Sequence, residues 1–476
     1  MTADPKTRVE HDLIGDREVP AAAYWGVHTL RAVENFPITG QTVATAPDLI
    51  AALAAIKQAA AEANRDLGLL DPARAEAIIA ACREIRAGAL HDQFVVDLIQ
   101  GGAGTSTNMN ANEVIANRAL EIMGYARGDY AHLHPNEHVN MGQSTNDVYP
   151  TALKLAAWVG IHRLAEAMGV LRAAFADRAT EFADVLKMGR TQLQDAVPMT
   201  LGQEFGTYAL MLAEDEARLT EAAQLICEIN LGATAIGTGI TAHPRYAAIA
   251  REALARITGL GLITAPDLIE ATQDCGAFVQ LSGVLKRIAV KLSKTCNDLR
   301  LLSSGPRAGL NEINLPAMQA GSSIMPGKVN PVIPEVVNQV AFEVIGNDMT
   351  ITMAAEAGQL QLNAFEPVIF YSLHRSVTHL TAACLTLEKN CIRGITANRE
   401  RLRETVEQSI GIVTALNPYI GYRNATEVAL EAHRSGRGVV EIVLERGLMS
   451  PEHLEAVLRP ETLTRPSEIL TSVEAQ

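Results

Sequence analysis

Two hydroxyls, one cation and one amide lie close together in Gly321-Ser322-Ser323-Ile324-Met325-Pro326-Gly327-Lys328-Val329-Asn330-Pro331. Hydroxyls and amides hydrogen-bond carboxylate oxygens, and a lysine adds charge, so the group suits an anionic ligand. Three other polar, helix-breaking segments carry similar groups: Thr105 after Gly101–Gly104, Ser144-Thr145-Asn146 after Gly142, and Thr191-Gln192 after Gly189. Taken singly, each reads equally well as a helix cap or loop hydroxyl. The glycine run at Gly101–Gly104 lacks the lysine of a phosphate-binding loop and the glycine spacing of a dinucleotide fingerprint. It is better read as a turn feeding a helix N-terminus, where backbone N–H groups can meet an anion. There is no Ser-x-x-Lys, Gly-x-Ser-x-Gly or His-Glu-x-x-His, and no clustered set of metal ligands. Nucleophilic acyl transfer and zinc hydrolysis are therefore poorly supported.

These segments must be positioned by helices. Leu49, Leu53, Ile56 and Ala60 share a face of a helix opening at Pro47, and a second helix is expected from Asp71 or Pro72 to about Ala87. From Leu153 to Leu186 apolar residues step by four or three without a break, predicting a helix of about 40 residues, about 60 Å long. Further helices are expected from Leu201 to Ile226, from Phe278 to Leu302 on a heptad-like seam, from Pro334 to Ala357 and from Glu366 to Cys391. Residues Glu10 to Gly40 read as extended segments and turns. The run from Ser303 to Pro334 is broken by glycines and prolines. A loop of that length suits a lid or binding loop, with Gly321 and Gly327 supplying mobility. The expected fold is mainly α and has three parts: a mixed, mostly helical domain (1–145), a central long-helix bundle carrying the 321–331 loop (146–398), and a small helical domain (399–476). Helices apolar on more than one face suggest that the middle part also packs against copies of itself.

Composition narrows the function. Of 476 residues, 48% are hydrophobic and only 4% aromatic, a core rich in alanine and leucine. The net charge of −14 argues against nucleic acid and against an anionic membrane surface. A dicarboxylate would have to be drawn in by a local positive site. No run of about 18 apolar residues predicts a membrane span. The N-terminus is polar without a signal core, so a cytoplasmic location is expected. The six cysteines are scattered and read as buried free thiols.

The 321–331 loop resembles the signature loop of the fumarase/aspartase superfamily, and the resemblance extends from Leu13-Ile14-Gly15 to Val443-Leu444-Glu445-Arg446-Gly447-Leu448. Within the superfamily, residues 102–113 and Gln143-Ser144-Thr145-Asn146-Asp147 are similar to the aspartase branch rather than the fumarases. Gln192 stands where fumarases usually, and some aspartases also, have histidine. The resemblance implies reversible deamination of L-aspartate to fumarate and ammonia without an organic cofactor, activation by a divalent cation being left open. Ser322 would be the base, taking a proton from C3 to form an enediolate. Thr105, Ser144, Thr145 and Ser323 would hold the adjacent carboxylate, Thr191, Lys328 and Asn330 the other, and Asn146, with Thr105 and Gln192, the amino group. A homotetramer with active sites shared between subunits is also implied. Two alternatives stand beside it: the same scaffold acting as a fumarase or on another succinyl compound, and a non-catalytic helical assembly. His134-Pro135-Asn136-Glu137-His138 is similar to a secondary anion site of the superfamily, but the preferred reading is surface structure.

Overall fold

The computed structural model describes residues 6–466, which are mainly helical. The chain opens on an antiparallel hairpin, β1 (Thr7–Asp12) and β2 (Gly15–Pro20). Next comes α1 (Val27–Asn35), in a stretch whose pattern predicts only extended segments and turns. No neighbouring side chain caps α1. Its first N–H groups are instead satisfied by a distant carboxylate, Glu113, which accepts from Gly26, His28 and Thr29. A helix capped by tertiary structure leaves no local capping signal.

In α2 (Pro47–Asp66), Pro47 occupies the first turn, Asp48 complements the helix dipole, and almost every residue from Leu49 to Asn64 is buried. Asp71 caps α3 (Pro72–Arg86) by accepting from the N–H groups of Ala73 and Arg74. After α4 (Thr105–Ile122) comes α5 (Thr145–Glu181), the longest helix among the described residues. It stops at Glu181, short of the expected Leu186, which instead begins β3 (Leu186–Thr191), paired antiparallel with β4 (Gln194–Thr200). Then follow α6 (Leu201–Leu225), β5 (Glu228–Ile229), α7 (Tyr246–Thr258), β6 (Ile263–Thr264), α8 (Glu270–Gln273) and α9 (Gly276–Leu302). The heptad-like residues Leu281, Leu285, Ile288, Leu292 and Leu299 of α9 are all buried.

Between Leu302 and Val332 the only regular element is β7 (Ile313–Asn314), so the stretch is irregular as its glycines and prolines predict. The chain continues through α10 (Val332–Glu356), α11 (Glu366–Asn390), β8 (Thr396–Ala397), α12 (Arg399–Gln408), α13 (Val413–Ser435), α14 (Val439–Glu445), α15 (Pro451–Val457) and α16 (Pro460–Leu463). All six cysteines are free thiols. No helix among the described residues is long and apolar enough to cross a membrane.

The chain forms two compact units. One comprises the described residues up to Glu166 with Ala217–Ala289 and Val340–Thr381; the other comprises Ala167–Glu216, Val290–Gln339 and the described residues from Ala382 onward. In the second unit Phe175, Phe182, Phe205 and Tyr208 meet in tilted and edge-to-face pairs. Residues between Val406 and Val457 add an apolar cluster around Leu416, Val428 and Ile442.

In the first unit, Glu366 at the start of α11 is buried, and its carboxylate has no hydrogen bond or ion pair among the described residues. Burial pushes its carboxyl up to about 8, with the Lys154 charge opposing. A folded-state value above the ordinary 4.5 means that stability is fully present below pH 4.5 and is lost as pH rises towards 8. Glu366→Gln should therefore raise the melting temperature at pH 8.5 by about 3 °C or more, and by much less at pH 5. Equal shifts at both pH values would rule out the buried charge as the cause.

Candidate active site

In the first unit, the starts of α4 and α5 come together. Gly104, left-handed at φ 87°, precedes Thr105, and a Cβ on it would strike the Tyr149 ring of α5 at 2.3 Å. Gln100 Oε1 accepts from Thr107 N–H at 2.9 Å and the Gly102 carbonyl from Thr105 N–H at 3.0 Å, which leaves the Ser106 N–H of the first turn of α4 without a partner among the described residues. Ser144 and Asp147 form a reciprocal cap on α5: Asn146 N–H donates to Ser144 Oγ at 3.2 Å, and Ser144 N–H to Asp147 Oδ1 at 3.2 Å. The Ser144 oxygen thus serves its helix while its proton stays free for a ligand. Asn146 Nδ2 donates to the Ala235 carbonyl at 2.7 Å, so its amide oxygen is the end left to accept from an amine.

Beneath these groups lies a polar cluster that residue types alone did not point to. Lys57 of α2 is 0% exposed and donates to Asn108 Oδ1 at 2.7 Å and Asn140 Oδ1 at 2.9 Å. Asn108 Nδ2 in turn donates to Thr145 Oγ1 at 3.1 Å. Burial holds the Lys57 ammonium down to about 7, with Asp147 and Cys82 opposing. The Asp147 carboxyl is pushed up to about 7, also by burial, against N–H donors from Thr234, Ser144 and Gly232. The one available signal was a lysine inside an alanine-rich helix with no polar face.

In the second unit, Thr191 and Gln192 sit at the tip of the β3–β4 hairpin and are exposed. Gln192 and Leu193 both take left-handed backbone angles, φ 54° and 63°. Such angles cost about 1–2 kcal/mol per residue without glycine. A tight turn bearing this strain in place of Asn-Gly points to a constraint other than folding. The hairpin is braced from below: buried Glu312 pairs with Lys187 at 2.8 Å and with Arg190 at 2.5 Å.

The Gly321–Asn330 loop, also in the second unit, is closed at its neck. Gly321 N–H donates to the Lys328 carbonyl at 2.7 Å, and Asn330 Nδ2 to the Gly321 carbonyl at 2.6 Å. A Cβ on Gly321 would meet Lys328 O at 2.6 Å and Asn330 N at 2.8 Å. Gly321 is therefore required by the close approach of two strands of the loop, a reason separate from the mobility expected of it. Gly327, at φ 80° with open space around it, is required by its backbone angle. Inside the loop, Ser322 Oγ accepts from Met325 N–H at 2.9 Å and from Ile324 N–H at 3.2 Å. Ser323 and Lys328 are exposed, and the Lys328 ammonium has no partner among the described residues. The Asn330 amide, expected to meet substrate, spends one donor on the neck.

A family model described as "Lyase" matches residues 15–346, and one described as "Fumarase C C-terminus" matches residues 412–465. An aspartate ammonia-lyase of Pseudomonas canavaninivorans is 61% identical over 467 residues, covering 98% of each chain. The chain belongs to the fumarase/aspartase superfamily. Two solved structures of superfamily proteins share its fold. A fumarate lyase:delta crystallin of Brucella melitensis superposes with TM-score 0.95 at 56% identity, over 97% of this chain and 100% of that one. A class II fumarase of Schistosoma mansoni superposes with TM-score 0.90 at 35% identity, over 95% and 98%. The turn His134-Pro135-Asn136-Glu137-His138 is folded on itself. His134 Nδ1 accepts from the N–H groups of Asn136 and Glu137, and His138 Nδ1 from that of His134. One nitrogen of each ring is thus committed to the turn's own backbone.

Proposed function

We propose that the protein converts L-aspartate reversibly to fumarate and ammonia, with Ser322 as the base. The observation that carries this reading is the pair of backbone N–H groups, from Ile324 and Met325, aimed at Ser322 Oγ. A well-aimed donor to an oxyanion contributes about 3 kcal/mol, or about two pKa units. Two such donors lower the cost of forming the alkoxide by about four pKa units at most, and do so most strongly where water is excluded. The alkoxide takes a proton from C3, and the electron pair spreads onto the adjacent carboxylate as an enediolate. The C3 charge then forms the double bond as the C–N bond breaks and the amine leaves with the bonding pair.

Thr105, Ser144, Thr145 and Ser323 are the donors for the carboxylate that becomes the enediolate. Thr191, Lys328 and Asn330 hold the second carboxylate, and Asn146, Thr105 and Gln192 the amine. The free amide oxygen of Asn146 supports this, because an ammonium needs an acceptor. Gln192 is neutral and cannot pass protons as histidine does, so the amine leaves without a proton relay at that tip. In this reading the enzyme needs no organic cofactor and works in the cytoplasm as a homotetramer with shared active sites.

Aspartate is preferred over malate because the relatives named aspartate ammonia-lyase reach 61% identity, against 35% for the fumarase. Separate incubation with L-aspartate and L-malate, followed by fumarate absorbance, tests this. The expected result is fumarate from aspartate at a rate exceeding that from malate by at least about 10⁴-fold, since a site built for one polar group leaves it unpaired with the other. Comparable rates would refute the assignment.

A further inference from the structure

We infer that Lys57 and Asn108 are positioning residues that fix the direction of the Thr145 hydroxyl, making it a donor towards the substrate carboxylate. This deepens the proposed function and rests on its reading of Thr145 as a carboxylate contact. An ammonium has only donors, so both amide oxygens near Lys57 Nζ, from Asn108 at 2.7 Å and Asn140 at 2.9 Å, must face it. That choice orients the Asn108 amide. Its Nδ2 is turned outward and donates to Thr145 Oγ1 at 3.1 Å and to Asn140 Oδ1 at 3.2 Å. Asn112 Nδ2 converges on the same Asn140 oxygen at 3.1 Å, and Asn140 Nδ2 donates to the Gln143 carbonyl, so Asn140 cannot flip either. Thr145 Oγ1 is therefore already an acceptor on its buried side, and its own proton is left for the ligand. A carboxylate accepts and never donates when ionised, so a hydroxyl of the opposite polarity would repel it. Lys57 is 0% exposed and Asn108 1%, so neither needs to touch substrate to act. The chain runs from cation to amide to hydroxyl to substrate, each bond polarised in the same sense.

The test is a double-mutant cycle in the full-length protein, with L-aspartate as substrate. Asn108→Asp keeps Lys57 paired but replaces the donor with an acceptor, drawing the Thr145 proton inward. We expect KM for L-aspartate to rise by about tenfold or more, the usual effect of losing a hydrogen bond to a charged group. The melting temperature should stay within a few degrees of the wild type. Thr145→Val should lose activity to a similar degree. In the Thr145→Val background, Asn108→Asp should then change kcat/KM by less than about twofold. If the two effects multiply instead, Asn108 does not act through Thr145 and the inference is overturned. If Thr145→Val alone leaves kcat/KM within about twofold of the wild type, the ligand reading of Thr145 fails first, a separately visible outcome. Asn108→Ala, which removes the donor without adding an acceptor, serves as the second variant and must also be silent in the Thr145→Val background. If neither Asn108 variant folds, the cluster is a folding element and the assignment falls.

Discussion

Ser322→Ala is expected to give a folded protein that has lost L-aspartate deamination by about 10²–10⁴-fold, the range a positioned base supplies. The side chain is half-buried in a loop, and its deletion leaves no cavity in either core. Its only structural service is to accept from the N–H groups of Ile324 and Met325. Losing a loop cap of that kind costs about 1 kcal/mol, so the melting temperature should move by a few degrees at most. Initial rates of fumarate formation and a thermal melt on the same sample check both halves. A rate within about tenfold of the wild type would mean that another group removes the C3 proton.

Gly321→Ala is expected to lower kcat by about 100-fold, although no side chain that meets substrate is altered. The added carbon would lie 2.6 Å from Lys328 O and 2.8 Å from Asn330 N, and both are backbone atoms. The neck must open, which displaces the neighbouring Ser322 along with Lys328 and Asn330. Gly327→Ala is the matched control. Its Cβ meets open space, and the cost is about 1–2 kcal/mol for a left-handed backbone angle. We expect its kcat to stay within about tenfold of the wild type. Equal losses in the two variants would favour hinge mobility over close approach as the role of both glycines.

The long helices were legible because their burial follows apolar periodicity. The buried stripe of α9 from Leu281 to Leu299 is the stripe visible in the residues. The β3–β4 hairpin was hidden for the opposite reason. Lys187 is an inward-facing residue of β3, so the alternation that marks a strand is broken by a charge buried against Glu204 and Glu312. The start of α1 was hidden because its cap, Glu113, lies far away in the chain. In the candidate site, the hydroxyls and the lysine of the 321–331 loop could be picked out by type and company. What activates Ser322 could not, because its donors are main-chain groups that every residue possesses. Lys57 was passed over for a related reason. Its partners are amides contributed by other segments, and a solitary lysine in a helix reads as solvated unless the whole surface is known to be covered.

The two amides that face the serine oxygen belong to the same short closed hoop as the serine itself. The reactive group therefore carries its own electrostatic support wherever the hoop goes. Binding a substrate or releasing a product need not dismantle and rebuild that support at each turnover, because only the distance between hoop and ligand has to change.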